Sequence, residues 1–471
     1  MSSTFRLLGV LDLTLGVWTG AWFEERDANA PPPAVAPLGA LPFAYTRADR
    51  DASASLATAA AAASASSASA AAAAAAAPRQ VAVWRTARDT GDRLARVANL
   101  TFSPAAPAAA PSAPANASVV IDPSSRFQEV FGFGGAITES ATHVFGQLAP
   151  ADQAALLDDL FGENPEGTSL RYSTGRLTIG SCDFALGYYS YNSMVNDTDM
   201  KNFTIAHDEA AIIPLILSAQ RAAAAQGRTV RFISTPWSPP GWMKSNFPLN
   251  NDSETAMSCF PLGPLDCAIE EWAFPAYALY LSKYLSAYAA AGVTIFGVTV
   301  QNEPQPQTGT LTYEGVWFPF AAEAAFVAGH LGPQLARDHP DTRIFIFDHN
   351  MGAEMLLYAA PILADANASK YVDGVAFHWY DGPNWADVAD LHDLFPSVMY
   401  LASEATVAMG DRGTPWWMPN TTAGSAWWAN GEFYGTYILN DLLSWSAGFI
   451  DAGTRTETRA RARSPIHMWP A

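Results

Sequence analysis

The 471-residue sequence predicts an α/β fold, a (β/α)8 barrel accompanied by an incomplete accessory β-sheet domain, and three observations carry that expectation. From Ser118 onward, short β-rich runs alternate with longer amphipathic stretches, the pattern of parallel strands joined by helical crossovers. Eight such runs can be counted. Polar or aromatic residues follow nearly every one of them, as expected where the carboxyl ends of barrel strands collect a site.

Before the barrel the composition is biased. Residues 28 to about 114 are rich in Ala, Pro and Ser, and the tract Ala52–Ala77 is almost pure Ala and Ser. Such a tract has too few large apolar groups to offset its ordering entropy, so residues 1–79 are expected to be largely disordered. Residues 80–126 are expected to hold accessory strands, with Val81–Trp84 and Val97–Phe102 as the short runs. The barrel is assigned to 127–451 and an atypical Arg-rich tail to 452–471. Its strands are expected at Val130–Ala136, Gly175–Gly180, Val230–Ser234, Phe296–Val300, Arg343–Phe347, Gly374–Phe377, Val398–Ala402 and Trp445–Ile450. Helices are expected at Ala151–Phe161, Ile212–Ala225, Trp272–Ala291 and Ala321–Leu335. Gly132-Phe133-Gly134-Gly135 is the nearest approach to a phosphate-gripping loop, and its spacing is wrong for a dinucleotide fold.

Whole-chain properties exclude several functions. With 26 Lys and Arg against 45 Asp and Glu, the formal net charge is −19, and the one basic cluster, Arg455–Arg463, lies at the C-terminus. A nucleic-acid partner is therefore not expected. The 15 Trp among 12% aromatic residues supply flat apolar rings of the kind that suit sugar faces, although most of them are expected to fill the core. Cys259 and Cys267 are close enough in sequence to form a short bridge, and Cys182 is expected to be a buried thiol. Glycosylation acceptors at Asn99, Asn116, Asn196, Asn202, Asn251, Asn367 and Asn420 suit a secretory route, to a lysosome, a vacuole or the exterior. The apolar run Phe5–Trp22 is interrupted by Asp12 and lacks a clean cleavage site. No stretch reads as a membrane span. No metal or cofactor is expected, since the histidines lack metal-ligand spacing such as His-Glu-x-x-His.

Two strand-end corners carry the chemistry. Val298-Thr299-Val300-Gln301-Asn302-Glu303-Pro304 delivers a carboxylate beside an amide at the end of one apolar run, and Leu401-Ala402-Ser403-Glu404 delivers a second carboxylate about a hundred residues later. Cleaving a glycosidic bond needs two carboxyl groups facing each other across a sugar. The other rim positions are Glu139, Arg176, Trp237, Asp348, His349, His378, Trp379 and Tyr380.

Several motifs occur in one order over residues 127–450. They are Phe131-Gly132-Phe133-Gly134-Gly135-Ala136, Ser181-Cys182-Asp183-Phe184, Pro236-Trp237-Ser238-Pro239-Pro240-Gly241-Trp242-Met243-Lys244, Gln301-Asn302-Glu303-Pro304, His378-Trp379-Tyr380 and Ala402-Ser403-Glu404-Ala405. In these the chain resembles the glucosylceramidase (lysosomal acid β-glucosidase) family, retaining glycosidases built on a TIM barrel. The resemblance implies that Glu303 is the general acid/base and Glu404 the nucleophile. It also implies that Glu139, Trp237, Asn302 and Trp379 contact the glucose ring, that Arg176 and Tyr380 support the carboxylates, and that His378 stands behind them or at the rim. The implied substrate is glucosylceramide or another β-glucoside, reached by transient contact with a membrane surface. Glu303 is expected to be kept protonated by partial burial and the charge of Glu404, and the two carboxyl groups to lie about 5 to 5.5 Å apart. Phe247, Trp317, Phe318 and Phe320 are candidates for an apolar rim.

The chain also departs from that family. The Asp-Trp-Asn run usual after the eighth strand is replaced by Asp451-Ala452-Gly453, and Glu139 stands where Asp is common. A last strand without its tip and a sandwich short of strands lead to the expectation of a weakly stable or inactive chain. Two alternatives stand beside the first reading. One is a β-xylosidase, β-1,6-glucanase or endo-xylanase of the same barrel group, and the other a carbohydrate-binding remnant without turnover.

Overall fold

The computed structural model describes residues 80–101, 122, 124–165, 167–247, 252–259, 266–305, 313–406 and 426–453. The low-complexity segment 1–79 with its run Phe5–Trp22, the acceptors Asn116, Asn251 and Asn420, and the Arg-rich tail after Gly453 lie outside these residues. The chain divides into two compact units near Val119. The first contains β1 (Gln80–Ala87) and β2 (Asp92–Thr101), an antiparallel pair. Gly91 closes their turn at φ 71°, a conformation that costs a glycine nothing.

The second unit is a closed barrel of eight strands, each hydrogen-bonded in parallel to the next. These are β3 (Gly132–Ile137), β4 (Thr174–Ile179), β5 (Arg231–Pro236), β6 (Ile295–Thr299), β7 (Arg343–Asn350), β8 (Gly374–His378), β9 (Met399–Glu404) and β10 (Ser446–Asp451). All eight expected runs are strands, with no end shifted by more than three residues. Val130 is half exposed and precedes β3, while the Phe131 N–H already bonds the Ala447 carbonyl at 2.6 Å. Closure is made by β10, which pairs with β3 from Gly448↔Gly132 to Asp451↔Gly135 and with β9 at Ser446↔Tyr400 and Phe449↔Ala402. The departure from the family pattern therefore begins just beyond the residues that close the barrel.

Helices cover the outside. In chain order they are α1 (Glu139–Gly146), α2 (Pro150–Leu160), α3 (Ala206–Ala211), α4 (Ile213–Ala224), α5 (Phe274–Ala290), α6 (Phe320–Phe326), α7 (Gly332–Asp338), α8 (Ala353–Ala364), α9 (Ala366–Ser369), α10 (Trp385–Leu394) and α11 (Ala426–Leu443). The single helix expected over 321–335 is broken by a π-turn, Val327–Leu331. Pro333 is the physical reason: it has no N–H, and its ring would press on the carbonyl four residues back, which a wider turn relieves.

The core has two compartments. One lies between strands and helices, and a smaller one inside the barrel contains Phe131, Ile233, Phe345, Leu401 and Ala447. Arg231 and Arg343 cap the inner compartment, with their guanidinium carbons 4.2 Å from the Phe131 ring and 5.0 Å from the Phe296 ring. Further along the strands the buried residues become polar: Arg176, Thr235, Thr299, Asp348 and Ser403. The apolar plug thus leaves one end of the barrel free for chemistry, the carboxyl end.

The Gly132-Phe133-Gly134-Gly135 run serves strand contact. A Cβ on Gly134 would fall inside the van der Waals radius of the Thr174 carbonyl, the neighbouring strand's backbone. Gly134→Val is expected to destabilise the protein by about 1–3 kcal/mol or more, because backbone must move to admit the side chain. Urea unfolding measures this, and an unchanged midpoint would contradict the close approach.

Candidate active site

Glu404 is the last residue of β9, and Glu303 sits on the turn just beyond β6. That turn is fixed on both flanks, since the Asn302 N–H donates to the Pro236 carbonyl (2.8 Å) and the Glu303 N–H to the Asp348 carbonyl (3.0 Å). Glu303 itself is left-handed, at φ 44°. A non-glycine residue held there costs on the order of 1–3 kcal/mol, which the surrounding barrel must offset.

Arg176 links the strands. It is buried on β4 and spreads its guanidinium among four acceptors: Glu404 Oε2, Asn302 Oδ1 (2.8 Å), Asp348 Oδ2 (2.7 Å) and Thr235 Oγ1 (3.2 Å). Its guanidinium carbon is 4.8 Å from the centre of the Trp237 ring. The second oxygen of Glu404 accepts from the Tyr380 hydroxyl at 2.9 Å. Guanidinium is a donor only, so the Asn302 amide must turn its oxygen to Arg176, and its N–H groups are what remains for a ligand.

Glu303 has a different environment. His378 Nδ1 is 3.3 Å and His349 Nδ1 3.9 Å from its Oε1, and the Tyr313 hydroxyl is 3.4 Å from its Oε2. Burial alone would raise the Glu303 pKa. The His378 hydrogen bond and the positive charge of His349, His378 and Arg176 outweigh it and hold the carboxyl below its ordinary value. The sequence reading had the opposite direction, because it placed Glu404 beside Glu303 without the imidazoles.

The remaining expected residues fall in two groups. Trp237 and Asn302 are 6% and 4% exposed and share Arg176 as a neighbour. Trp379, 1% exposed, packs against Phe433, Tyr434 and Tyr437 of α11 with ring centres 4.8 to 5.1 Å away. Glu139 opens α1, where its Oε2 accepts from the Leu186 N–H (2.8 Å) and its Oε1 faces His207 Nε2 (2.7 Å). Those contacts tie Glu139 to the loop after β4 and to α3.

Three residues given no role by sequence belong to the same cluster. Asp348 is fully buried and binds Arg176, His378 Nε2 (3.0 Å), and the hydroxyls of Thr299 (2.7 Å) and Ser403 (2.6 Å). Tyr313 stands beside Glu303. Asp183 presents a side chain with open surface, yet confinement by surrounding protein, and then the charges of Glu404, Glu303 and Glu314, push its carboxyl well above the ordinary range. The signals were available: Asp348 ends a β run, and Asp183 lies inside a matched motif.

Around this centre Cys259 and Cys267 are disulfide-bonded and Cys182 is a buried free thiol. Of the expected aromatic rim, Phe318 is buried in the core and Phe247 packs against it, while Phe320 is 40% exposed. Leu186, Met194 and Trp272, in the loops after β4 and β5, are more than half exposed. Among the described residues no group of three or more His, Cys, Asp or Glu is arranged to hold a metal, and no helix is long and apolar enough to cross a membrane.

Several buried groups retain protons. Burial raises Glu323 to about 8 despite the Tyr358 hydroxyl at 2.6 Å, and raises Asp441 to about 8 despite the Trp385 indole N–H at 2.8 Å. His378 is disfavoured by burial, but Glu404, Asp348 and Glu303 bring it to about 9. Each folded pKa exceeds its unfolded value. The stability these groups contribute is full below the unfolded pKa, about 4 for the two carboxyls and about 6.5 for the imidazole, and is lost as pH rises through 8 to 9. A Tm several degrees higher at pH 5 than at pH 8 is expected in thermal melts. A maximum at pH 8 or above would contradict it.

A closed parallel barrel with two glutamates at the carboxyl ends of its fourth and seventh strands is the arrangement of the barrel glycosidases. The chain belongs to glycosyl hydrolase family 30, whose TIM-barrel domain matches residues 130–459. It is 31% identical over 340 residues to lysosomal acid glucosylceramidase of Mus musculus, covering 71% of this chain and 61% of that one. It is also 31% identical over 316 residues to an endo-1,6-beta-D-glucanase of Neurospora crassa, covering 66% and 60%. Among solved structures, SrfJ from Salmonella typhimurium superposes with a TM-score of 0.58 at 29% identity, covering 69% of this chain and 65% of that one. The endo-beta1,6-glucanase BT3312 gives 0.60 at 25% identity, covering 77% and 71%. The chain thus spans about 60% of the length of these two curated relatives.

Proposed function

We propose that the protein hydrolyses β-glucosidic bonds by double displacement, with glucosylceramide as its substrate. Glu303 protonates the glycosidic oxygen while Glu404 attacks the anomeric carbon, and a glucosyl ester of Glu404 forms as the aglycone leaves. Glu303, now ionised, takes a proton from water, whose oxygen displaces Glu404 and releases glucose with retained configuration. The observation that carries the reading is the environment of Glu404, held by Arg176 on one oxygen and Tyr380 on the other, so that the carboxylate is fixed for attack. Asn302 offers its N–H groups to the sugar 2-hydroxyl, an interaction that strengthens as the oxocarbenium-like transition state forms. Trp237, Glu139 and Trp379 complete the sugar subsite. The lowered pKa of Glu303 makes its acid form abundant only in acid, so kcat/KM falls as pH rises through the carboxylate range.

The exposed Leu186, Met194, Trp272 and Phe320 support a lipid aglycone, since the first three lie between the carboxyl end of a strand and the next helix and Phe320 opens the helix that follows β6. The exposed acceptors Asn99, Asn196, Asn202 and Asn367 support a route through the secretory pathway to a lysosome, a vacuole or the exterior. A second reading, hydrolysis of β-1,6-glucan, is favoured by the equal identity to the Neurospora crassa enzyme. Turnover of short-chain fluorescent glucosylceramide alongside a β-1,6-glucan oligosaccharide and an aryl β-xyloside separates the readings. Preference for the glucan or the xyloside would reassign the substrate, and sugar binding without any turnover would leave the carbohydrate-binding remnant.

A further inference from the structure

Asp348 is placed by an irregularity of β7. A regular strand sends consecutive side chains to opposite faces, but a register shift between Phe347 and His349, with positive φ at Phe347 (75°) and Asp348 (48°), bends β7 at this point. Both Asp348 and His349 are buried there, and the Asp348 carbonyl also holds the Glu303 N–H. The Asp348 carboxylate is then divided between the two halves of the site. Its Oδ2 takes Arg176, the partner of Glu404, and its Oδ1 faces His378 Nε2, whose other ring nitrogen faces Glu303. Ser403 and Thr299 complete its hydrogen bonding. Both nitrogens of His378 thus face carboxyl oxygens; ionised Asp348 only accepts, and Glu303 accepts through Oε1 whether or not its Oε2 carries a proton, so the ring satisfies both as an imidazolium.

Resting on the double-displacement reading, we propose that Asp348 is a positioning residue that fixes two cations, Arg176 and His378, so that the site stays electrically balanced while one negative charge passes from Glu404 to Glu303. In the free enzyme ready to react, the charges are Arg176⁺, His378⁺, Asp348⁻ and Glu404⁻, with Glu303 neutral. When the glycosidic C–O bond breaks, the Glu303 proton leaves with the aglycone oxygen and Glu404 is esterified. The negative charge now resides on Glu303, beside His378. Water attack reverses the exchange: its proton returns to Glu303 and the ester oxygen departs as the Glu404 carboxylate. During the ester's lifetime Glu404 carries no charge, and Asp348 remains, with Glu303, to keep His378 charged. The charged and titratable groups around His378 are Asp348 and His349 of β7, Glu303 after β6, Glu404 of β9, Arg176 of β4 and Tyr380 after β8.

The test has one arm that needs no turnover. Histidine-labelled protein is titrated by NMR, with the His378 signal assigned by its loss in His378→Gln. In the wild type the ring is expected to stay protonated to above pH 8, and in Asp348→Asn its midpoint should fall by about 1–3 pH units. A wild-type midpoint near the ordinary histidine value, or no shift in the variant, would overturn the proposal. The second arm is the pH profile of kcat/KM on an aryl β-glucoside. His378→Gln should move the alkaline limb upward, because Glu303 loses its neighbouring cation, and Asp348→Asn should move it downward, because an anion is removed while His378 is still charged where Glu303 titrates; Ser403→Ala, which removes one hydrogen bond and no charge, moves it less. Lower rates with an unmoved limb in both charge variants would make Asp348 a structural residue only and overturn the proposal. If Asp348→Asn fails to fold, the wild-type titration and His378→Gln decide. Absence of turnover on any β-glycoside by the wild type would count against the glycosidase reading, and the titration would still decide the Asp348–His378 pair.

Discussion

Glu404→Gln is expected to fold as the wild type does and to lose β-glucoside hydrolysis by on the order of 10⁴- to 10⁶-fold, the scale seen when a covalent nucleophile is removed. The amide is nearly isosteric and keeps an oxygen to accept from Arg176 or Tyr380, so the loss belongs to chemistry rather than packing. The rate assay is paired with an activated fluoroglucoside that forms a slowly hydrolysed ester. The wild type should gain the mass of one fluoroglucosyl group on the peptide carrying Glu404, and Glu404→Gln should gain none. Residual activity within about tenfold of wild type would remove Glu404 from the mechanism.

The second large effect is at Arg176. Replacing it with Met leaves Asp348 and Glu404 without their shared cation in a buried cluster, and breaking such a pair costs about 3–5 kcal/mol. Arg176→Lys separates charge from geometry. A lysine keeps the positive charge but cannot reach Glu404, Asn302, Asp348 and Thr235 together, since it lacks the planar fork. A smaller stability loss than in Arg176→Met is therefore expected, with kcat reduced by about 10²-fold because the nucleophile is no longer fixed. Denaturation midpoints and kcat, measured on both variants, check this. Equal stability of wild type and Arg176→Met would contradict the buried network.

The parts of this site differ in how legible they were. The strands were readable because β-rich runs end in abrupt polar corners, and both glutamates stand at such corners. Arg176 was placed within the second strand and Tyr380 in the His378-Trp379-Tyr380 motif, and the resemblance supplied their expected roles. What escaped depends on contacts far apart in sequence: Arg176 reaches Glu404 across 228 positions and Asp348 across 172. The bend that turns Asp348 and His349 inward leaves no periodicity to detect, as it is one residue out of register. The electrostatics of Glu303 followed from that bend, since His349 and His378 meet the carboxyl only in three dimensions. Trp379 was legible as a strand-end aromatic, whereas its burial under α11 depends on a helix some 50 residues later.

The central claim is that Glu303 and Glu404 act in sequence on one anomeric carbon through a covalent ester. The most direct measurement is proton NMR of the sugar released from an aryl β-glucoside in the first minutes, before mutarotation. Double displacement predicts that the β-anomer of glucose appears first and the α-anomer follows slowly. Initial release of the α-anomer would mean a single displacement by water and would contradict the account.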